Sequence, residues 1–444
     1  MPRCRENLQL LDAAAHLDEC GSLFKPSSKD MADIERDLAS LAEEGSLFAA
    51  TAADKLQQLQ SELLPLAERY DIVIANPPYM GGSNMNKWIS AWVKNNYANA
   101  KRDLCTCFIN RGFNLSNDHG YISMITASSW MFISSFEEFR KSLLRRSSIT
   151  SMIQQSTHGY AGVTVPTTMF VLAEGAQGVT GTYIRLEDFD RPQWQEPRAL
   201  EALANPDCGW FYRCANASFG VIPGSPIAYW ISPALRNAFK NAQDIELGFA
   251  SIVKGIFTGD NERFLRFWYE VDRSSLNENW RLYAKGGAYR KWFGNVERVI
   301  NWKNNANELR SFPGSGLGAS KYFGKETITW TKISSGCAHF RWNDSSVYFD
   351  DASPAFVLNA PIGKSEKTVL GFLNSSFSML CLDLLAPTLN FQCGDIKKLP
   401  YIPADKIPEA ESSVSILVDQ NIALAKDDWN RFETSPDFVE HPLI

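Results

Sequence analysis

The chain has 444 residues, 45% of them apolar, and a formal net charge of −6, which suits two or three domains with at least one large core. Its nine cysteines are scattered and odd in number, with no Cys-x-x-Cys pair, and there are only five histidines; neither a disulfide framework nor a metal site is expected. No signal peptide is visible, and the apolar stretch from Phe372 to Pro387 is interrupted by Asn374 and Asp383, so a cytoplasmic protein with no membrane span is expected.

The net charge hides a division. Residues 1–70 carry 7 Lys/Arg against 13 Asp/Glu, and the remainder balances at 37 against 37. Within that remainder, 84–150 holds 9 basic to 4 acidic residues and 251–342 holds 15 to 8. Local sign governs a phosphate-binding face, so nucleic acid stays open as a partner.

In chain order, Ile34, Leu38, Leu41, Leu47, Leu56, Leu59 and Leu63 recur at helical spacing with few breakers, which predicts an acidic helical scaffold over 1–70. Cys20-Gly21-Ser22 has no strand before it and no glycine pattern after it, so it is not a cofactor loop.

Asp71 to Ala75 is a short β-branched run that predicts a buried strand. Pro77 and Pro78 stop it, because neither has an N–H to give to a sheet, and Pro77 holds Asn76 extended just past the strand end. The carboxyl edge of an open α/β sheet is where ligands bind. The bland alternative is an ordinary Pro-Pro turn.

Asn86 to Leu115 reads as one long helical region. Its Lys87, Lys94, Lys101 and Arg102 suit either phosphates or a solvated face, and Cys105 and Cys107 read as buried thiols. A strand follows over Gly120 to Trp130, then a helix over Phe136 to Arg146 capped by Ser134 or Ser135. Ile149 to Gln154 reads as a strand, and Val163 to Ala173 as its hairpin partner. This order is the second half of a doubly wound sheet closing with an antiparallel pair.

Beyond Glu174 the chain turns rich in Gly, Pro and polar residues, which predicts a connection with small elements. Residues 251–342 then hold six of the thirteen tryptophans, interleaved with Arg and Lys. Such a mixture suits a surface that grips a phosphate backbone and reads bases; the alternative is a β-rich core with solvated charges. Phe312-Pro313-Gly314-Ser315-Gly316-Leu317-Gly318 lacks the Lys-Ser/Thr of a phosphate loop and reads as a flexible loop. The division expected is 1–70 scaffold, 71–175 catalytic half-domain, 176–250 connection, 251–405 recognition domain and 406–444 tail.

Asn76-Pro77-Pro78-Tyr79 resembles the signature of S-adenosylmethionine-dependent methyltransferases acting on amino or amide nitrogens, chiefly N6 of adenine. Together with Thr258-Gly259-Asp260-Asn261, Arg290 to Asn295, Leu370 to Ser375 and Pro387 to Gln392, it resembles the adenine-specific methyltransferases of BREX-type phage-defence systems and fused restriction–modification enzymes. The resemblance covers about 65–405 and implies an α/β fold: a Rossmann-like methyltransferase sheet, of which the carboxyl-terminal half is present, then an α+β target-recognition domain. It implies double-stranded DNA as substrate and S-adenosylmethionine as cofactor, with Asn76, Pro77, Pro78 and Tyr79 as the catalytic loop.

The chemistry fits those residues. An amine conjugated to a ring is a poor nucleophile, and the Asn76 side-chain carbonyl with the Pro77 backbone carbonyl can accept its two N–H bonds and draw it towards a tetrahedral geometry. Tyr79 offers a face for a flipped base. Nothing in 1–70 supplies the glycine-rich cofactor loop of such enzymes, so the cofactor-binding residues stay unassigned and a fragment completed by a separate chain is expected. Two other readings remain: a non-catalytic DNA-recognition module, and methyl transfer to RNA adenine or protein glutamine.

Overall fold

Six strands make the first sheet, in the order β1-β2-β4-β3-β5-β6. They are β1 (Tyr70–Ala75), β2 (Ser116–Ala127), β3 (Ser147–Gln154), β4 (Thr167–Glu174), β5 (Thr180–Arg185) and β6 (Phe211–Ala215). The computed structural model describes residues 15–441 except 45, 161, 163, 244, 247–249, 319, 360–361, 387–388 and 403–407. Cys4, Val163, Pro387 and Thr388 lie outside the described residues. The chain divides into two units, 1–231 and 232–444.

In the first unit β1 pairs parallel with β2, placing Ala75 opposite Met124. Strand β4 runs antiparallel between β2 and β3, which makes β2 and β3 parallel to each other. The doubly wound half with its antiparallel closing strand is therefore present. Residues 176–250, expected as a connection, add β5 and β6 to this sheet. Their short alternating runs sit between turn-rich flanks that masked them in the sequence.

Helices α1 (Ser28–Glu44) and α2 (Leu47–Ala67) form the acidic scaffold. Arg111, 3% exposed, ties it to the sheet: its Nε donates to the Ser22 carbonyl at 2.7 Å and its Nη2 to that of Leu66 at 2.6 Å. The long helix expected over 86–115 is broken into α3 (Lys87–Asn96) and α4 (Leu104–Leu115). The Asp103 carboxylate causes the restart, accepting the Cys105 N–H at 3.0 Å as the cap of α4. Helix α5 (Glu137–Arg146) starts without the serine cap that its sequence suggested, because Ser134–Phe136 is a separate helical turn.

One core runs under β1 to β5, built from Ile122, Trp130, Phe139, Phe170 and Tyr183 among others. It covers only one face of β1, through Val73 and Ala75, so the strand expected to be buried is half exposed. Ile72 is 61% and Ile74 77% exposed, and among the described residues no strand pairs with the outer edge of β1.

The second unit holds two four-stranded sheets. One is β13 (Tyr348–Phe349), β9 (Trp280–Ala284), β10 (Arg298–Asn301) and β8 (Leu265–Phe267); the other is β12 (Phe340–Asn343), β11 (Thr327–Trp330), β14 (Ala355–Leu358) and β7 (Ala250–Val253). Helices α6 (Lys364–Leu373), α7 (Ser376–Leu385) and α8 (Pro408–Asn430) follow. No single described helix is long and apolar enough to cross a membrane; the apolar pair before Ala386 bends by 63° between Leu373 and Ser376.

Candidate active site

Three loops leave the first sheet at one edge: Asn76 after β1, Ser128 after β2 and Gln155 after β3. Asn76 is exposed and its side chain has no hydrogen-bond partner among the described residues, whereas Pro77 is buried. Pro78 is exposed, and Tyr79 is 37% exposed. The four predicted residues thus form one short shelf, anchored through Pro77, with the Asn76 amide left free.

Asp103 fixes the far end of that shelf. One of its oxygens accepts the Met80 N–H at 3.3 Å as well as capping α4. The Leu104 N–H donates to the Met80 carbonyl at 3.0 Å, and the Gly82 N–H to the Arg102 carbonyl at 2.9 Å. The sequence showed Asp103 only as a charge beside Arg102. Its double role appears once α4 is seen to start there.

Burial, and then the nearby Cys105 and Tyr160, hold the Tyr79 phenol above its ordinary range, so it is a neutral ring with a hydroxyl donor. Cys105 and Cys107 are fully buried on α4, and burial pushes the Cys107 thiol up to about 12. They are inert packing thiols, as the sequence suggested.

Tyr160 is the residue that sequence reasoning missed. It lies in the loop between β3 and β4, 39% exposed, at the same edge of the sheet as Tyr79. Its loop is pinned at His158, whose backbone N–H and Nδ1 reach the Asp190 carboxylate at 3.2 Å and 2.9 Å. Beside it opens a cavity of about 410 Å³ lined by Ile153, Gln155, Gly159, Tyr160, Met169 and Gln195, among others. No local pattern marks a tyrosine in a polar loop; only the sheet brings it to the edge that carries Tyr79. Lys87, Lys94, Lys101 and Arg102 are exposed with no acidic partner among the described residues.

In the second unit the family-like motifs mostly brace the fold. The Thr258 hydroxyl donates to Asn261 Oδ1 at 2.7 Å, which also accepts from Lys285 Nζ, and Asp260 caps the turn by accepting the Arg263 N–H. Gly259 takes φ +72 against Gly314, so the glycine-rich run expected as a flexible loop is packed backbone to backbone. Asn374 imitates a strand: its amide donates to the Phe340 carbonyl at 3.0 Å while its carbonyl accepts the Phe340 N–H at 3.1 Å. Trp330 and Trp302 are core, whereas Trp268, Trp280, Trp292 and Trp342 are partly exposed. A mostly apolar cavity of about 500 Å³, lined by Trp292, Phe372, Phe377, Tyr401 and Val418 among others, also lies in this unit.

Residues 17–159, which include the Asn76 shelf, match the Eco57I restriction-modification methylase family. Over 406 residues the chain is 34% identical to the adenine-specific methyltransferase PglX of Lacticaseibacillus casei (strain Zhang), covering 85% of this chain and 33% of that one. Over 438 residues it is 33% identical to the adenine-specific methyltransferase BrxX of Escherichia coli O9:H4 (strain HS), covering 96% of this chain and 35% of that one. The chain therefore spans about a third of the length of these curated relatives. Among solved structures it is similar to the type IIL restriction-modification enzyme MmeI in complex with DNA, at 12% identity and TM-score 0.49, covering 84% of this chain and 51% of that one. It is also similar to the type IIG restriction endonuclease BpuSI, at 12% identity and TM-score 0.33, covering 79% and 49%. With an Eco57I-type methylase segment in residues 17–159 and one-third identity along most of its length, the chain resembles BREX-type adenine-specific methyltransferases over about a third of their length.

Proposed function

We propose that this chain supplies the acceptor side of an adenine-N6 DNA methyltransferase of the phage-defence or restriction–modification kind. The observation that carries this reading is the unpartnered Asn76 amide on an anchored shelf that also bears Tyr79, with Tyr160 in another loop at the same edge of the sheet. A flipped adenine stacked on Tyr79 would donate its two amino hydrogens to Asn76 Oδ1 and the Pro77 carbonyl. Both acceptors withdraw the hydrogens from the ring plane and free the nitrogen lone pair. Tyr160 offers the same base a second aromatic contact.

S-adenosylmethionine would supply an electrophilic methyl group. Among the described residues no glycine-rich turn follows a strand beside β1, so the residues present do not make up its site. We propose that a further polypeptide segment, on a separate chain or a longer one, adds a parallel strand to the open edge of β1 and carries that loop. Exposed Ile72 and Ile74 suit such a covering, since parallel sheets are normally buried on both faces.

The same open edge favours a second reading, a DNA-recognition module that never transfers a methyl group. Co-expression with the amino-terminal α/β segment of a BREX-type relative, followed by a methyl-transfer assay on adenine-containing duplex, separates the two. Transfer that Asn76→Ala abolishes supports the first reading, and DNA binding without any transfer supports the second. Faster transfer to RNA or to a glutamine peptide than to duplex would change the acceptor.

A further inference from the structure

In the second unit the basic residues divide into two populations. Arg263, Lys285, Arg290, Lys332 and Lys367 each stand within 2.8 Å of a carboxylate. Lys254, Lys321 and Lys325 are exposed and have no carboxylate partner among the described residues. These three gather at one place. A shallow cleft of about 510 Å³ is lined by Val253, Lys254, Gly318, Ser320, Lys321 and Tyr322. Lys321 Nζ lies 4.8 Å and Lys325 Nζ 5.9 Å from the centre of the Tyr322 ring.

The cleft walls are rigid. A Cβ on Gly255 would stand 2.1 Å from the Phe349 carbonyl oxygen, and one on Gly318 only 2.0 Å from the Gly255 oxygen. Backbone therefore touches backbone on both sides of Lys254, which fixes it against the Ser320–Tyr322 turn. A hydrogen bond with Ser251, then one with Lys321, hold the Tyr322 hydroxyl below its ordinary range.

We propose that the cleft holds the phosphate backbone of duplex DNA, with Lys254, Lys321 and Lys325 supplying charge and the Ser320 hydroxyl a hydrogen bond. Lysine suits this task, because a point charge on a flexible stem accepts a phosphate without demanding a bidentate geometry. Such contacts fix register on the duplex and carry no sequence information. The inference rests on the DNA-methyltransferase reading and adds to it the residues that grip the backbone.

The test is fluorescence anisotropy of a short labelled duplex against the full chain, repeated between about 50 and 200 mM salt. The variants are Lys254→Gln/Lys321→Gln/Lys325→Gln and, as a control, Lys240→Gln/Lys303→Gln, two exposed lysines elsewhere in the same unit. Melting temperatures check that both variants fold. Each lost phosphate contact lowers the slope of log affinity against log salt by about 0.9, so the triple variant should lose about 2 to 3 and the control almost nothing. A triple variant with the wild-type slope, or a control that loses as much, overturns the inference while leaving the function standing. Wild-type chain that binds no duplex overturns both. ATP binding that disappears in the triple variant, with duplex binding unchanged, assigns the cleft to a free nucleotide and also overturns it.

Discussion

The middle of the first sheet and its β1 edge are finished differently. At β3 and β4 every strand has neighbours, Phe170 and Leu172 are fully covered, and the antiparallel β4 closes the set. At β1 the edge is bare, with Ile72 and Ile74 in the open. Yet the shelf that carries Asn76 leaves the sheet at β1, on the bare side. The contrast teaches that an acceptor platform can be fully shaped by its own anchors, Pro77 and Asp103, while the ground beside it is unbuilt. The packed middle fixes geometry, and on the proposed reading the open β1 edge is where a further segment pairs.

The largest effect should come from the platform. In the completed enzyme, Asn76→Ala should cut methyl transfer by about 10²- to 10³-fold, as loss of a key polar contact to the reacting group does, with duplex affinity unchanged. Equal losses in rate and affinity would mean that Asn76 only binds.

The acid sensitivity of the second unit comes next. Burial, and then Arg341, push His339 down to about 4. Between that value and the ordinary imidazole range the unfolded chain binds a proton that the folded one refuses, so stability falls as pH drops from about 6.5 to 4. The loss should approach 3 kcal/mol, the scale of a shift of two to three pH units. His339→Asn should flatten this dependence in urea titrations at each pH.

The Asp103 brace is smaller. Asp103→Ala should cost about 1 kcal/mol for the lost helix cap and speed amide exchange at Met80 and Cys105. Exchange at Ser128 and Gln155, on the other two loops, should not change.

The bare edge gives the last test: Ile72→Lys/Ile74→Lys should abolish concentration-dependent self-association in sedimentation velocity while leaving the melting temperature within a degree or so. Association that survives the charges would place the sticky surface elsewhere.

How far the sequence foretold this picture follows from where the information was local. The run Asp71 to Ala75 and the two prolines after it fixed strand, stop and shelf, because proline geometry acts within two residues. The order of β1 to β4 was equally legible from alternating runs. The break at Tyr97 to Asp103 was not, since the local Asp103 cap is joined by distant contacts: the Tyr97 hydroxyl reaches the Leu23 carbonyl, and Asp103 reaches Met80. Tyr160 was hidden for the same reason. The mixed Trp and basic stretch of the second unit looked uniform in sequence, and only packing separated core tryptophans and ion-paired cations from exposed lysines such as those of the cleft.

The central claim is that this chain holds the acceptor side and not the methyl donor's site. Calorimetric titration of the purified chain with S-adenosylmethionine tests it directly. The account predicts no binding by the chain alone, and binding once a segment that covers the β1 edge is added. Tight binding by the chain alone would contradict it, and would mean that the cofactor is held without the usual glycine loop.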